Sequence, residues 1–496
     1  MIMLKYFSWF RVFVAKNRLN RGRSYLMRPA LFALLLVLGG LLASCGAAPS
    51  PQVVAPPAPS QPTALPPQPT PAALAALASR VSPCDAPAKA APGDTIGATS
   101  PAGTVHYDNA SNTILLRRGA NTTLPGIRQA LGTPDALQEL APGEWLLTAN
   151  LRVEAGAQLR IAAPEVRLLK LRSDPAGFVW IKALGGQLDF ADTCVTSWDT
   201  QSQRYDEKYQ DGRSFVLARD GARMNVERSD LRYLGYDGPE SYGLAWRVRG
   251  TSGQIIDSYV SHNFYGVYSY DMDGLVIRGN EVHHNVMYGI DPHTRSNRLV
   301  IEGNVSHDNG KHGIILAEEC SDGQVRNNVV YNNLHHGIVI FQNSNNNIVE
   351  GNTSYGNGGH GININGATNT IVRGNNVYDN LEAGIGIGQR ANATQVIANQ
   401  VQANRRDGVT FYSDVKDNLL RDNLIAGNIR FGIYVKSEGE LTVEGNTVAD
   451  NAVGVYLNVA GTLDISQQTN RIQSNREADL RRGSEQAPAD ATEEQS

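Results

Sequence analysis

The sequence predicts an all-β protein, folded as a single-stranded right-handed parallel β-helix with 22–24 residues and three short strands in each coil. A glycine followed by an aliphatic residue recurs ten times at this spacing, from Gly243 to Gly454. Pairs of asparagines five residues apart recur in phase, from Asn280/Asn285 to Asn446/Asn451. Between them lie runs of three to five residues rich in Val and Ile, without helical periodicity. A leucine-rich repeat shares this period, but its leucine pattern is absent.

The N-terminal segment 1–45 is typical of a signal sequence, with Met27 as a better start than Met1. Its apolar run, from Pro29 to Ala43, is shorter than an ordinary membrane-spanning helix. The residues LASC that end at Cys45 resemble a bacterial lipobox, which implies lipidation of Cys45. A plain membrane anchor or a cleaved secretory signal is the alternative. We therefore expect an extracytoplasmic lipoprotein, attached to the outer membrane or cell surface.

The rest of the chain divides by composition. Residues 46–84 are rich in Pro and Ala and predict a disordered tether. Residues 85–143 are irregular, with a short helix expected near Pro125–Leu131, and we expect them to cap the first coil. The β-helix is expected over residues 144–476, interrupted by a loop at 195–213. Residues 477–496 predict a disordered acidic tail.

Charge and cysteine content limit the partners. A net charge of −4 argues against nucleic acid, which needs a basic surface. Cys84 and Cys194 are the favoured disulfide pair, which leaves Cys320 free. No CxxC or HExxH spacing and no cluster of carboxylates is present, so neither a metal site nor a cofactor is expected. The protein is predicted to be a monomer.

Because the coils stack, residues one repeat apart in the sequence are expected to lie next to each other on one face of the solenoid. Asparagines at one position of every coil predict hydrogen-bonded ladders, and the glycines are expected to serve turns with positive φ. The aliphatic residue after each glycine points inward, so the second and fourth residues after it point outward. The resulting strip of aromatic and ionisable residues suits a linear polysaccharide. Its predicted substrate-binding residues are Tyr242, Tyr265, Arg247, Tyr270, Arg295, His312, His336 and His360.

One coil concentrates ionisable groups in the stretch YGIDPH, which contains Tyr288, Asp291 and His293. The segment from Tyr265 to Ile315 resembles the periplasmic type of mannuronan C5-epimerase, a right-handed parallel β-helix family with a YG-x-DPHD motif. Here Thr294 stands in place of the final Asp. The resemblance implies that His293 removes H5 of a mannuronate residue, assisted by Tyr288 and Asp291.

Two acidic residues depart from that family. Glu318 and Glu240 stand near positions where an arginine and a lysine are expected, and they would repel a polyuronate. Arg247, Arg295, Arg298 and Lys311 are candidate substitutes. The sequence therefore favours epimerase-like action on a uronate polysaccharide of the alginate type, with a β-eliminating lyase or a non-catalytic polysaccharide-binding lipoprotein as alternatives. His312, His336 and His360, which stand at the same position in successive coils, have a second interpretation as stacked structural residues. Asp291 and His293 likewise have a second interpretation, as an incidental exposed pair.

Overall fold

A computed structural model describes residues 74, 77, 80–86, 100–132, 135–459, 465 and 469–483. Cys45, the signal sequence and most of the predicted tether and tail lie outside these residues. All described residues belong to one compact unit. Within these ranges no helix has both the length and the apolarity to cross a membrane.

The described strands stack into three long, predominantly parallel sheets, A, B and C, and each coil contributes in turn to A, B and C. Sheet A has 16 strands within the described ranges: Val105–Asp108, Thr113–Leu116, Asn150–Glu154, Trp180–Leu184, Phe215–Arg219, Gly243–Arg247, Tyr265–Tyr270, Ile290–His293, Ile314–Ala317, Ile338–Phe341, Ile362–Asn365, Ile385–Gly388, Val409–Phe411, Phe431–Val435, Val453–Leu457 and Ala478–Arg482.

Sheet B has 13 described strands: Asn121–Thr122, Gln158–Ala162, Gln187–Ala191, Arg223–Glu227, Ser252–Ile256, Val276–Arg278, Val300–Glu302, Gln324–Arg326, Ile348–Glu350, Ile371–Arg373, Gln395–Ile397, Asn418–Arg421 and Leu441–Glu444. Sheet C has 17 described strands: Leu137–Ala141, Glu144–Leu147, Leu168–Asp174, Gly177–Phe178, Cys194–Asp199, Arg204–Tyr205, Asp230–Arg232, Tyr259–Ser261, Glu281–His283, Val305–His307, Val329–Tyr331, Thr353–Tyr355, Asn376–Tyr378, Gln400–Gln402, Leu424–Ala426, Thr447–Ala449 and Arg471–Gln473. The predicted β-solenoid with three strands per coil is confirmed.

Inward-pointing aliphatic side chains fill the solenoid with one continuous core. Ile290, Ile314 and Ile338 occupy equivalent positions in successive coils, and each is fully buried. Because neighbouring coils contribute the same side chain at the same place, each one packs on its equivalents above and below. The alternation inferred from the sequence is therefore confirmed.

Buried asparagines form the two predicted ladders. In the first, the backbone N–H and side-chain amide of Asn280 both donate to Oδ1 of Asn304, at 3.0 and 2.9 Å. In the second, Asn285 does the same to Asn309. Both ladders continue one coil beyond the repeats recognised in the sequence, to Asn470 and to the partly exposed Asn475. The asparagines thus satisfy the backbone at two turns of every coil.

The recurring glycines have a different role from the expected one. Of the ten, only Gly243 has a positive φ. A Cβ on Gly289 would lie 2.6 Å from the carbonyl oxygen of Gly313 and 2.7 Å from the Asn309 amide. The next coil therefore approaches too closely for any side chain. The left-handed turn positions fall just before the ladder asparagines, as at Gly303 and Asp308.

The ends of the solenoid lie outside the expected bounds of 144–476. Thr113–Leu116 already pairs in parallel with Asn150–Glu154, so the first coil begins within the predicted cap. The expected helix is present as Leu124–Leu131, with Thr123 as its N-cap and Leu124 and Ile127 buried. At the other end Ala478–Arg482 pairs in parallel with Val453–Leu457. The charged composition of residues 477–496 predicts disorder, and for residues 478–482 this prediction is wrong. The unpaired backbone edge of Val453–Leu457 provides hydrogen-bond partners for this strand.

The C-terminal end of the predicted disordered tether, residues 80–84, lies along the solenoid together with residues 85 and 86, so the tether ends earlier than expected. Cys84 forms a disulfide with the buried Cys194, as favoured from the sequence. Asp85 forms an ion pair with Arg232, and Arg80 forms one with Asp257 in the next coil. Cys320 is free and buried. Residues 80–86 are therefore part of the folded body.

Candidate active site

The pairing of sheet A brings the predicted residues into adjacent columns on its outer face. Tyr268 pairs with Asp291, and Tyr270 pairs with His293. Arg247 pairs with Tyr270 one coil earlier. Pro292 points inward, so the chain presents Asp291 and His293 on the same side of the strand. The side chains that the sequence placed together do lie together.

Asp291 is not an exposed residue. Its relative exposure is 0%, and within the described residues neither carboxylate oxygen has a hydrogen-bond partner. Burial raises its pKa to about 6, although nearby His293 and Lys311 lower it. A buried carboxylate without hydrogen bonds is unfavourable to folding. Such groups are concentrated at functional sites.

Three tyrosines surround this carboxylate. Burial and the charge of Asp291 raise the pKa of Tyr265, Tyr268 and Tyr288 well above its ordinary value. All three phenols are therefore protonated at neutral pH. The Tyr288 hydroxyl lies 3.3 Å from Nζ of Lys311, which donates to it. Tyr288 is thus a proton donor with a cation beside its oxygen.

His293 is partly exposed, and its Nδ1 atom faces its own neighbour in sequence. This atom accepts from the backbone N–H of Thr294 at 3.0 Å and lies 2.7 Å from Oγ1 of Thr294. The Thr294 hydroxyl in turn lies 3.2 Å from Oε2 of Glu318 in the next coil, to which it donates. Nε2 has no hydrogen bond within the described residues.

Positive side chains surround the site despite the two acidic departures. The guanidinium of Arg247 lies 4.7 Å from the ring centre of Tyr270, and Arg295 donates to the Tyr270 hydroxyl at 3.3 Å. Arg298, by contrast, is exposed and pairs with Asp273. Arg247 and Arg295 therefore lie beside Tyr270, the neighbour of His293 in the sheet, and Lys311 lies beside Tyr288.

Glu240, the other acidic departure, has a charge partner. It forms an ion pair with Arg219, and it lies close enough to Lys182 to raise the pKa of that ammonium, which burial lowers. Its negative charge is therefore largely offset locally. The repulsion of a polyuronate expected at this position is reduced accordingly.

The predicted binding histidines form a stacked column. The rings of His312, His336 and His360 lie 5.0 Å apart at each step and within 7° of parallel. Their Nδ1 atoms accept backbone N–H groups of the next coil. Burial lowers the pKa of all three, to about 3 for His336 and about 4 for His360. These contacts favour the alternative interpretation, a ladder of neutral structural histidines.

One cluster brings metal-capable atoms together. Ligand atoms of His336, His360 and Glu382 lie within 4.8 Å of one another, the only such group of three among the described residues. Nδ1 of each ring accepts a backbone N–H and, unlike Nδ1 of His293, has no hydroxyl bonded to it within the described residues, so the proton of the neutral imidazole is on Nε2. A metal would need that nitrogen unprotonated. The hydrogen bonds of these histidine rings therefore oppose metal binding at this cluster.

An aromatic cluster continues the outer face of sheet A toward the N-terminus. Around Tyr242, Tyr265 and Tyr268 it adds residues that sequence reasoning missed as site candidates, namely Phe178, Trp180, Phe215 and Tyr236. Lys182 lies over the Trp180 ring at 4.4 Å and shares the outward column of Asp291. The sequence did not reveal this column because the coils here differ in length. The alternation of inward and outward residues around Trp180 is the signal that could have identified it.

Comparison with known proteins assigns the fold family. The family model described as "Right handed beta helix region" matches residues 215–377 and 321–475, together more than half of the chain. The coils and the match define a β-helix protein with a polar, aromatic outer face. The chain belongs to the right-handed β-helix family.

Two curated proteins and one solved structure are similar to parts of the chain. Mannuronan C5-epimerase of Pseudomonas aeruginosa is 31% identical over 177 residues, covering 33% of this chain and 32% of that protein. Mannuronan C5-epimerase of Pseudomonas putida is 31% identical over 336 residues, covering 64% and 54%. The chain thus spans from about a third to about half of the length of these relatives. The crystal structure of the periplasmic alginate epimerase AlgG superposes with a TM-score of 0.56 at 22% identity, covering 75% of this chain and 84% of that one, which bears on the fold alone.

Proposed function

We propose that this protein is a C5-epimerase acting on uronate residues of an alginate-type polysaccharide. The observation that carries the proposal is the set of Tyr288, Asp291 and His293, held by one coil on the outer face of a solenoid. The similarity to mannuronan C5-epimerases supports the reaction and the class of polymer.

In the proposed mechanism His293 accepts H5 through Nε2. The C5 proton is only weakly acidic because the adjacent carboxylate is already negatively charged. The additional negative charge that develops when this proton is removed therefore needs stabilisation. Arg247 and Arg295 are proposed to bind uronate carboxylates along the strip. The buried charge of Asp291 stabilises the imidazolium form of His293.

Tyr288 is proposed to deliver a proton to C5 from the opposite face, which inverts the centre. Its raised pKa keeps the phenol protonated before the reaction, and Lys311 beside its oxygen stabilises the phenolate afterwards. If the 4-O substituent departs before this protonation, the product is an unsaturated sugar and the enzyme is a lyase. The two reactions therefore share the first step.

The surrounding of the site suits an extended glycan. Tyr242, Tyr265 and Tyr270 are partly exposed members of the aromatic cluster, and sugar rings pack on such faces. The binding roles of His312, His336 and His360 are limited to any Nε2–H group that reaches the surface. The polymer is proposed to run across successive coils of sheet A.

The proposed location is extracytoplasmic. A disulfide between Cys84 and Cys194 suits an oxidising compartment, and a solved relative is described as periplasmic. Lipidation at Cys45, attachment to the outer membrane or cell surface, and a monomeric state remain part of the proposal.

Proton NMR of polymannuronate incubated with the purified full-length protein tests the reaction. New guluronate signals support the epimerase, and signals of unsaturated ends indicate the lyase. Retention of the polymer without conversion would leave a binding protein. His293→Ala is expected to lose at least ~100-fold in rate. His106→Ala, an exposed histidine in the first hairpin, is the matched control and should retain activity.

A further inference from the structure

We infer that Thr294 and Glu318 are positioning residues that set the tautomer of His293. The inference rests on the proposed function, because only a base needs a particular ring nitrogen free. It gives a role to Glu318, whose charge otherwise opposes a polyuronate.

The tautomer matters because a neutral imidazole has one lone pair for a base to use. Nδ1 is occupied by Thr294, so Nε2 is the nitrogen free to meet the substrate. Nε2 accepts a proton only when the ring proton is on Nδ1. That form requires an acceptor for the Nδ1–H group.

Two neighbours of Nδ1 favour opposite tautomers. The backbone N–H of Thr294, at 3.0 Å, donates to Nδ1 and favours the form with its proton on Nε2. Oγ1 of Thr294, at 2.7 Å, can either donate or accept. The direction of its hydroxyl proton therefore determines which tautomer is stabilised.

Glu318 determines that direction. Its Oε2 atom lies 3.2 Å from Oγ1 of Thr294. An ionised carboxylate only accepts, so the Thr294 hydroxyl donates to Glu318 and turns a lone pair toward Nδ1. The chain from Nδ1–H to Oγ1–H to Oε2 then leaves Nε2 unprotonated.

The backbone holds these groups in place. His293 pairs with Ala317, so Thr294 and Glu318 follow equivalent strand ends in adjacent coils. Glu318 has a φ of 57°, unusual for a glutamate, and its carbonyl accepts from Arg295 at 3.0 Å. Ser296 donates to the carbonyl of His293 at 2.8 Å. The turn is fixed on both sides of the hydroxyl.

The test measures the His293 tautomer by long-range ¹H–¹⁵N correlation of protein labelled at the imidazole nitrogens, above the pH at which the ring is charged. His293→Ala identifies the signals. We expect Nδ1–H in the wild type and in Thr294→Ser, and Nε2–H in Thr294→Val and in Glu318→Met, which removes the oxygen acceptor. A wild-type Nε2–H tautomer, or no change in Thr294→Val, would overturn the inference.

Kinetics give a second readout. Thr294→Val and Glu318→Met should each lower kcat by at least ~10-fold with little change in KM, and Thr294→Ser should restore most of the rate. Equal loss in Thr294→Ser and Thr294→Val would also contradict the inference. The NMR result does not depend on turnover, so failure of the epimerase proposal is distinguishable from failure of this one.

Discussion

At the scale of single residues, Asp291 lies beside the proposed base in an environment unfavourable to its charge. Its pKa of about 6 lies above the value for an unfolded chain, so the folded state binds a proton more tightly. This contribution favours the fold at pH 4 and is lost as the pH rises through 6. The difference corresponds to about 3 kcal/mol.

Asp291→Asn should therefore raise the melting temperature at pH 8 and leave it nearly unchanged at pH 4. The same variant should lose at least ~10-fold in kcat, because the imidazolium of His293 loses a neighbouring negative charge. Differential scanning calorimetry at both pH values, with activity assays, checks the prediction. A variant that is less stable at pH 8 would show that the carboxylate has partners that compensate its burial.

Sequence reasoning identified Asp291 and His293 but not their surroundings. Alternation predicted that both point outward, which is correct. It did not predict burial, because two of the covering residues, Tyr265 and Tyr268, come from the preceding coil, and the cover also depends on the rotamer of Tyr288 in the same coil. The contact of Thr294 with Glu318 is hidden for the same reason, since it joins residues one coil apart.

At the scale of the repeat, the glycine column and the asparagine ladders set how closely coils stack. Gly289→Ala should destabilise the fold by about 1–3 kcal/mol, because its Cβ meets the Gly313 carbonyl and the Asn309 amide. Gly303→Ala is the matched control, with nothing within 4 Å and only its φ of 63° to oppose it, and should cost about 1 kcal/mol. Thermal melts that rank the two variants in the reverse order would contradict this account of the column.

The ladder makes a separate prediction. Asn399 accepts from both amides of Asn375 and donates to Val372 and Asn423. Asn399→Ala leaves these buried groups without partners and should destabilise the fold by about 2–4 kcal/mol. Because the site lies several coils away, activity at low temperature should be unchanged. Gln400→Ala, the partly buried neighbour in sequence, should show a smaller shift in melting temperature.

The period of the repeat was predictable because the ladder and the close approach recur in every coil. The reason for the glycines was not, since positive φ and steric crowding leave the same residue in the sequence. The strand Ala478–Arg482 was missed because its pairing comes from the backbone of the preceding coil rather than from an apolar pattern.

At the scale of the whole molecule, the disulfide joins two parts of the chain 110 residues apart. Its removal by Cys84→Ser with Cys194→Ser should lower the stability of the fold by about 4–5 kcal/mol, because a long loop is released. Thermal melts with and without reductant check this. Reductant should lower the melting temperature of Cys320→Ala, the matched control, and leave the double variant unchanged. A double variant as stable as the wild type would contradict the expected contribution.

The composition of the outer face of sheet A follows from the same architecture. One face of a solenoid presents a residue from every coil, so an aromatic cluster, a central histidine and flanking cations align along one direction. This arrangement supports a linear polymer as substrate, and we propose that His293 removes the C5 proton of that polymer.

The most direct measurement is NMR of polymannuronate treated with the full-length protein in D₂O. We expect guluronate residues with deuterium at C5, produced by the wild type and by His106→Ala but not by His293→Ala. Guluronate that retains hydrogen at C5, or equal deuteration by His293→Ala, would contradict the assignment of His293 as the base.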